Sequence, residues 1–94
     1  MYVVVRRYTG AAGLVDAMIQ REQEIRQLIS SVHGFKAYYA LRAGNGAVAT
    51  ITICDDLEGT AESSRRAAEW VRMNMSGASI SPPEVTEGEI YISF

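Results

Sequence analysis

Gly44-Asn45-Gly46 stands between two runs of strand-forming residues, and it restricts the fold of this chain more than any other feature. Before it lies Phe35-Lys36-Ala37-Tyr38-Tyr39-Ala40-Leu41-Arg42, aromatic and apolar. After it comes Ala47-Val48-Ala49-Thr50-Ile51-Thr52-Ile53-Cys54, rich in β-branched residues. Asn and Gly tolerate the positive φ that tight hairpin turns demand, so Gly34 to Asp55 reads as a β-hairpin. The turn length sets its register. A three-residue loop puts Tyr38, Ala40 and Arg42 on the sheet face of Thr50 and Thr52, whereas a two-residue loop puts Tyr39 and Leu41 there. The three-residue version is favoured, because it sends Phe35, Tyr39 and Leu41 to the isoleucines.

The flanks supply a strand and a helix on each side. Residues 2 to 8, Tyr-Val-Val-Val-Arg-Arg-Tyr, form a first strand with Val3 and Val5 on one face and Tyr2, Val4, Arg6 and Tyr8 on the other. Apolar residues then recur at Leu14, Met18, Ile25, Ile29 and Val32, the period of an amphipathic helix running from about Ala11 to Ser31 and stopped by Gly34. Beyond the hairpin, Asp56 or Thr60 caps a second helix with the stripe Ala61, Ser64, Ala68, Val71 and Met75. That helix ends between Asn74 and Gly77, and a Ser, Gly, Ala and Pro82-Pro83 loop follows. Glu84 to Phe94 reads as a fourth strand, with Ile90, Ile92 and Phe94 on one face and Glu89, Tyr91 and Ser93 on the other.

The order β-α-β-β-α-β is the ferredoxin-like α+β arrangement, in which two helices cover one face of a four-stranded antiparallel sheet. The helix-covered face is expected to hold Val3, Val5, Ile51, Ile53, Ile90 and Ile92. The other face would then carry Tyr2, Val4, Arg6, Tyr8, Val48, Thr50, Thr52, Cys54 and Tyr91, a surface too apolar for open water, which expects a partner.

With 94 residues the chain is one domain, 1–94, whose core is small enough to call for outside support. One cysteine makes no internal disulfide, and Cys54 with the lone His33 furnishes no four-ligand zinc site, so self-association is the remaining support. Nine Lys and Arg against eleven Asp and Glu give no basic footprint for nucleic acid. No apolar run reaches the roughly 18 residues of a membrane span, and no export signal precedes the first strand. The expectation is a cytoplasmic protein with no nucleic-acid or membrane partner.

The chain resembles the dimeric α+β barrel superfamily, and within it small antibiotic biosynthesis monooxygenase-like proteins. The resemblance rests on Val3-Val4-Val5-Arg6, Val32-His33-Gly34-Phe35, Ile51-Thr52-Ile53-Cys54, Trp70 late in the second helix, and Pro83-Glu84-Val85 with Gly88-Glu89. It implies a homodimer whose sheets pack face to face, with a lumen or helix-side cleft for an aromatic substrate. Some such proteins oxidise polyphenols without metal or flavin, and others bind and degrade haem. Trp70 matches the haem-degrading members, but Met73 to Pro83 contains no histidine for an axial ligand. Trp70 with Asn74 one helical turn on echoes the monooxygenases. No cofactor is expected.

Each residue singled out also has a structural reading. Trp70 suits packing as well as a ligand wall. His33 before Gly34 complements the helix dipole, and Cys54 reads as a small hydrophobe. Arg6 among tyrosines either binds a phenolate or carboxylate, or pairs with a glutamate such as Glu89 across a dimer. Arg65, Arg66, Glu62 and Glu69 read as exposed ion pairs, and Glu84, Glu87 and Glu89 as a charged edge strand. Two functions remain. In one, Tyr2, Arg6, Tyr38, Trp70 and Tyr91 line a site for a small aromatic or quinone-like molecule, oxidised without a cofactor. In the other the protein is a non-catalytic binding or assembly module, and its sheet face is only a dimer interface.

Overall fold

A computed structural model describes residues 1–77 and 80–94. Its elements are β1 (Tyr2–Tyr8), α1 (Leu14–Gln20), α2 (Glu22–Ser30), β2 (Phe35–Arg42), β3 (Val48–Cys54), α3 (Leu57–Asn74) and β4 (Glu84–Glu89). The strands form one antiparallel sheet in the order β2-β3-β1-β4. With its helices on one face, this is the ferredoxin-like α+β fold.

The hairpin has the three-residue loop. Ala43 N–H donates to Ala47 O at 2.8 Å, closing a turn in which Gly46 adopts φ 84° and the Asn45 side chain accepts from Ala47 N–H. Tyr38 therefore lies opposite Thr52, and Tyr39 opposite Ile51. Phe35 departs from the expected face. A bulge between Phe35 and Ala37 shifts the register so that Phe35 pairs with Cys54 and packs against the helix-side core.

The sheet faces are the reverse of the sequence expectation. Val4, Arg6, Tyr8, Val48, Thr50, Thr52 and Cys54 are buried under the helices, whereas Val3, Val5, Ile51 and Ile53 lie half-buried on the open face. The helices account for this. The inward side of α3 presents Gly59, Thr60 and Ser63, all buried, and small hydroxylic side chains complement threonines and an arginine better than isoleucines. At Gly59 an added Cβ would meet Cys54 Cβ and His33 O at 2.7 Å, so only glycine lets α3 approach β3 this closely. The inward stripe is thus rotated from the expected one, and it takes in Trp70.

Two further expectations are corrected. The single helix 11–31 is two: Gly10 and Gly13 at positive φ delay its start, and it breaks at Arg21, where Gln20 to Glu24 offer five consecutive polar residues with no anchor in the core. The fourth strand ends at Glu89. Its register places Glu89 opposite Tyr2, and the last rung is Ile90 N–H to Met1 O at 2.8 Å. Tyr91, Ile92 and Phe94 lie beyond it and are highly exposed, so Ile92 is not under the helices and Tyr91 is not on a sheet face. Asp56, not Thr60, caps α3, accepting from Gly59 N–H. The expected loop before Pro82 includes Ala78 and Ser79, which lie outside the described residues.

Candidate functional site

Arg6 is the largest side chain sealed within the fold, at 2% exposure. Its position on β1 aims the guanidinium between sheet and α3. Nε donates to Thr50 Oγ1 at 3.3 Å, and Nη2 to Thr52 Oγ1 at 2.8 Å. Nη1 donates to Ser63 Oγ at 3.3 Å and Ser64 Oγ at 3.0 Å. All four acceptors are neutral hydroxyls, and none of the ion pairs among the described residues includes Arg6. Burying an unpaired cation costs several kcal/mol. Four hydrogen bonds to a charged donor, at about 1.5–3 kcal/mol each, offset it.

The surroundings respond to that cation. Burial pushes the Tyr8 and Tyr38 phenols up from the ordinary tyrosine value, while neighbouring Arg6 pulls both down. Burial in turn lowers the Arg6 guanidinium, against the opposing fields of Tyr8, Tyr38, Cys54 and Glu87. With the net shift upward, both phenols keep their protons at neutral pH, which suits them to donate a hydrogen bond rather than to act as bases. Cys54 is fully buried, and burial followed by Asp56 and Asp55 raises its thiol, which argues against a nucleophile.

A cleft of about 510 Å³ opens between α1, α2 and the outer strand β2. Its walls are apolar, with Met18, Ile25, Ile29, Phe35 and Tyr38 inside and the Glu22–Arg26 ion pair at the rim. A smaller recess of about 30 Å³, bordered by Tyr8, Thr50 and Trp70, shares Met18, Ile25, Ile29 and Tyr38 with the cleft. Of these shared residues, Tyr38 carries the polar group, and it lies within the field of Arg6.

Of the five residues expected to line a site, the structure brings three together. Arg6, Tyr38 and Trp70 cluster on the helix side. Tyr2 shares their sheet face but sits at its far end, opposite Cys54 and Glu89. Tyr91 is 89% exposed, beyond β4 and away from the cluster. Trp70 Nε1 donates to Glu24 Oε1 at 3.1 Å, which ties α3 to α2. Asn74 Nδ2 donates to the Trp70 carbonyl, so it braces its own helix. His33 is exposed, and Arg66 joins Glu62 to Leu28 O on α2 and to Ser31 at its C-cap.

Sequence reasoning missed Ser63 and Glu24. A serine within a helix reads as surface, and nothing in the spacing says that it faces an arginine 57 residues away. Glu24 looked like one more member of a solvated face; its i,i+3 pairing with Arg21 was legible, its bond to Trp70 was not. Among the described residues no group of three or more His, Cys, Asp or Glu side chains could hold a metal, and no helix is long and apolar enough to cross a membrane.

No family model and no curated protein matches the chain. Solved structures do match it. A protein of unknown function from Nitrosomonas europaea, NE2512, superposes with a TM-score of 0.73 at 18% identity, covering 99% of this chain and 91% of its own. An MhuD variant holding two manganese protoporphyrin IX molecules per active site has a TM-score of 0.73 at 15% identity, covering 100% and 98%. The ActVA-Orf6 monooxygenase of Streptomyces coelicolor, in complex with nanaomycin D, has a TM-score of 0.68 at 19% identity, covering 98% and 92%. Further neighbours include antibiotic biosynthesis monooxygenases and a cofactor-independent oxygenase. Across its whole described length, this chain has the fold of the antibiotic biosynthesis monooxygenase-like proteins.

Proposed function

We propose that this protein is a cofactor-independent, monooxygenase-like enzyme that binds a small aromatic or quinone-like molecule in the cleft between α1, α2 and β2. The observation that carries this reading is the buried Arg6, held only by neutral hydroxyls beside Tyr38. No carboxylate forms an ion pair with it, and the field of Glu87 offsets its charge only from a distance, so it favours negative charge developing next to it. A phenolic oxygen entering past Ile25 and Ile29 would meet the Tyr38 hydroxyl first. That hydroxyl, a proton donor backed by the guanidinium, stabilises a phenolate or enolate more than its neutral parent, as preorganised donors do. Trp70, fixed by Glu24, supplies an aromatic wall at the inner end. The cleft of about 510 Å³ falls within the usual range for small-molecule sites.

The assembly in this reading is a homodimer closed through the open sheet face, now the aliphatic one. Val3, Val5, Ile51 and Ile53 are half-exposed there, with Tyr39 at 59% and Leu41 at 44% exposure. The exposed Tyr91, Ile92 and Phe94 add apolar surface that a single chain leaves in water. The same surface favours the second reading, an assembly module without catalysis, since it needs no pocket.

Native mass spectrometry with nanaomycin D as the probe separates the two, with Trp70, the only tryptophan, as a fluorescent reporter. A dimer that gains one ligand per chain, quenches Trp70 and loses both effects in Ile29→Phe supports the enzyme reading. A dimer that gains neither mass nor a fluorescence change leaves the assembly module. Hemin serves as the control, and a Soret band on mixing would move the reading to haem.

A further inference from the structure

Tyr8 is 4% exposed, and the recess of about 30 Å³ that it borders shares Met18, Ile25, Ile29 and Tyr38 with the cleft. We propose that this recess is the polar end of the ligand site, where the Tyr8 and Tyr38 hydroxyls together hold the ionised oxygen of a phenol or enol. The inference rests on the ligand cleft described above and adds Tyr8 to it. A single water needs about 10–15 Å³ of such space, so the recess admits an oxygen substituent but no aromatic ring. The ring stays in the cleft of about 510 Å³. An O-methyl ether adds a carbon to that oxygen and cannot ionise, so the site selects a free hydroxyl.

Two observations favour an anionic oxygen there. The hydrogen bonds around Arg6 and the recess are donated by Arg6, Ser63 and Trp70. Among the described residues neither phenolic hydroxyl donates one, so each keeps its proton for a guest. Both hydroxyls also lie in the field of Arg6. Burial raises the two phenols, and against it the guanidinium draws both down. Thr50 Oγ1 accepts from Arg6 Nε and itself acts on Tyr38, which links the cation to that phenol through a hydroxyl. Donors polarised in this way bind an oxyanion better than its neutral parent. No ion pair among the described residues involves Arg6, so its field is open to such a guest.

Spectrophotometric titration with 4-nitrophenol tests the pair, because this phenol ionises near neutral pH and only its phenolate absorbs visible light. The bound probe is expected to ionise at lower pH than the free one, its proton passing to solvent. Tyr8→Phe and Tyr38→Phe should each weaken phenolate binding about tenfold, the scale of one hydrogen bond to a charged group, with circular dichroism unchanged. The methyl ether, 4-nitroanisole, should bind about tenfold more weakly than the phenol or worse. If a variant fails to fold, the wild-type titration and the ether comparison decide. A bound probe that ionises no more readily than the free one, full affinity in Tyr8→Phe, or equal binding of the ether overturns the proposal. Nanaomycin D still bound alongside any of these results keeps the cleft and removes only the hydroxyl pair. The expected 4-nitrophenol results with no binding of nanaomycin D uphold the pair and overturn the quinone-oxidising reading.

Discussion

On the helix side of the sheet, Arg6, Thr50 and Thr52 are all but sealed from solvent, whereas on the open side the most aliphatic set in the chain, Val3, Val5, Ile51 and Ile53, stays half-exposed. Hydropathy alone would exchange the two. Within one chain, burial has followed hydrogen-bond satisfaction and close fit: a polar cluster goes inside when every donor finds an acceptor and a helix of small residues can come near. The aliphatic face stays half-exposed in the single chain, and in the proposed assembly a second copy covers it. On that reading the inner face holds the fold together and the outer face serves assembly.

If that division is right, the largest effect belongs to Arg6. Arg6→Ala removes a fully buried side chain and leaves the Thr50, Thr52, Ser63 and Ser64 hydroxyls without their common donor. It should lower unfolding stability by about 3–5 kcal/mol in urea titrations. Arg6→Lys should recover little of this, because an ammonium has three donors and lacks the planar fork that reaches both sheet and helix. A loss below about 1 kcal/mol, the scale of an ordinary hydrogen bond, would show that the inner network is not what holds the layers together.

Next comes the contact that lets α3 settle on β3. Gly59→Ala places a methyl 2.7 Å from both Cys54 Cβ and His33 O, and backbone has to shift. Overpacking of this kind costs about 1–3 kcal/mol. Thermal unfolding of Gly59→Ala measures it. An unchanged midpoint would mean that the inner face tolerates a wider spacing.

The inner face should also give the fold an alkaline limit. Unfolded tyrosines ionise near pH 10, but burial keeps Tyr8 and Tyr38 protonated to higher pH in the fold. Between those two values the folded state binds more protons than the unfolded one, so stability falls as pH rises. It is fully present below about pH 10 and lost above it. Urea midpoints across this range should fall for the wild type and fall less for the Tyr8→Phe, Tyr38→Phe double variant. Equal slopes would remove the buried phenols from the account.

How far this contrast can be read in the sequence differs from element to element. The presence of the hairpin was legible because Gly46 and Asn45 carry the turn's backbone requirements in their own chemistry. Its register was not, since these residues suit either loop length and only the placing of Tyr39 and Leu41 beside the isoleucines favoured three residues. The left-handed turn at Gly34, φ 74°, was legible for the same reason as the hairpin, although α2 itself ends at Ser30 with Ser31 as its cap. Strand alternation separated the two faces correctly, but alternation has no sign. Which face the helices cover depends on Ser63 and Gly59 of α3, more than fifty residues from β1 in sequence, and on how closely they approach. Arg6 and Tyr38 were expected on the open face and lie instead with Trp70 on the helix side, while Tyr91 was placed by extending a strand past its last partner. Pairing ends where β1 does, and residue type alone does not reveal this.

The smallest effect on a single chain, and the sharpest contrast with Arg6, is expected on the outer face. Tyr39 is 59% exposed and lies opposite Ile51, on the edge strand β2 that borders the apolar patch. Tyr39→Glu should change the stability of the isolated chain, measured at high dilution, by no more than about 0.5 kcal/mol, as for other surface substitutions. At higher concentration the same change puts a carboxylate against an apolar partner, where an unpaired charge is costly to desolvate. Light scattering should then show a dimer for the wild type and a monomer for Tyr39→Glu, with the same fold by circular dichroism. A wild type that stays monomeric would leave the open face without its partner. A variant that unfolds would mean that the outer face, like the inner one, is part of what holds a single chain together.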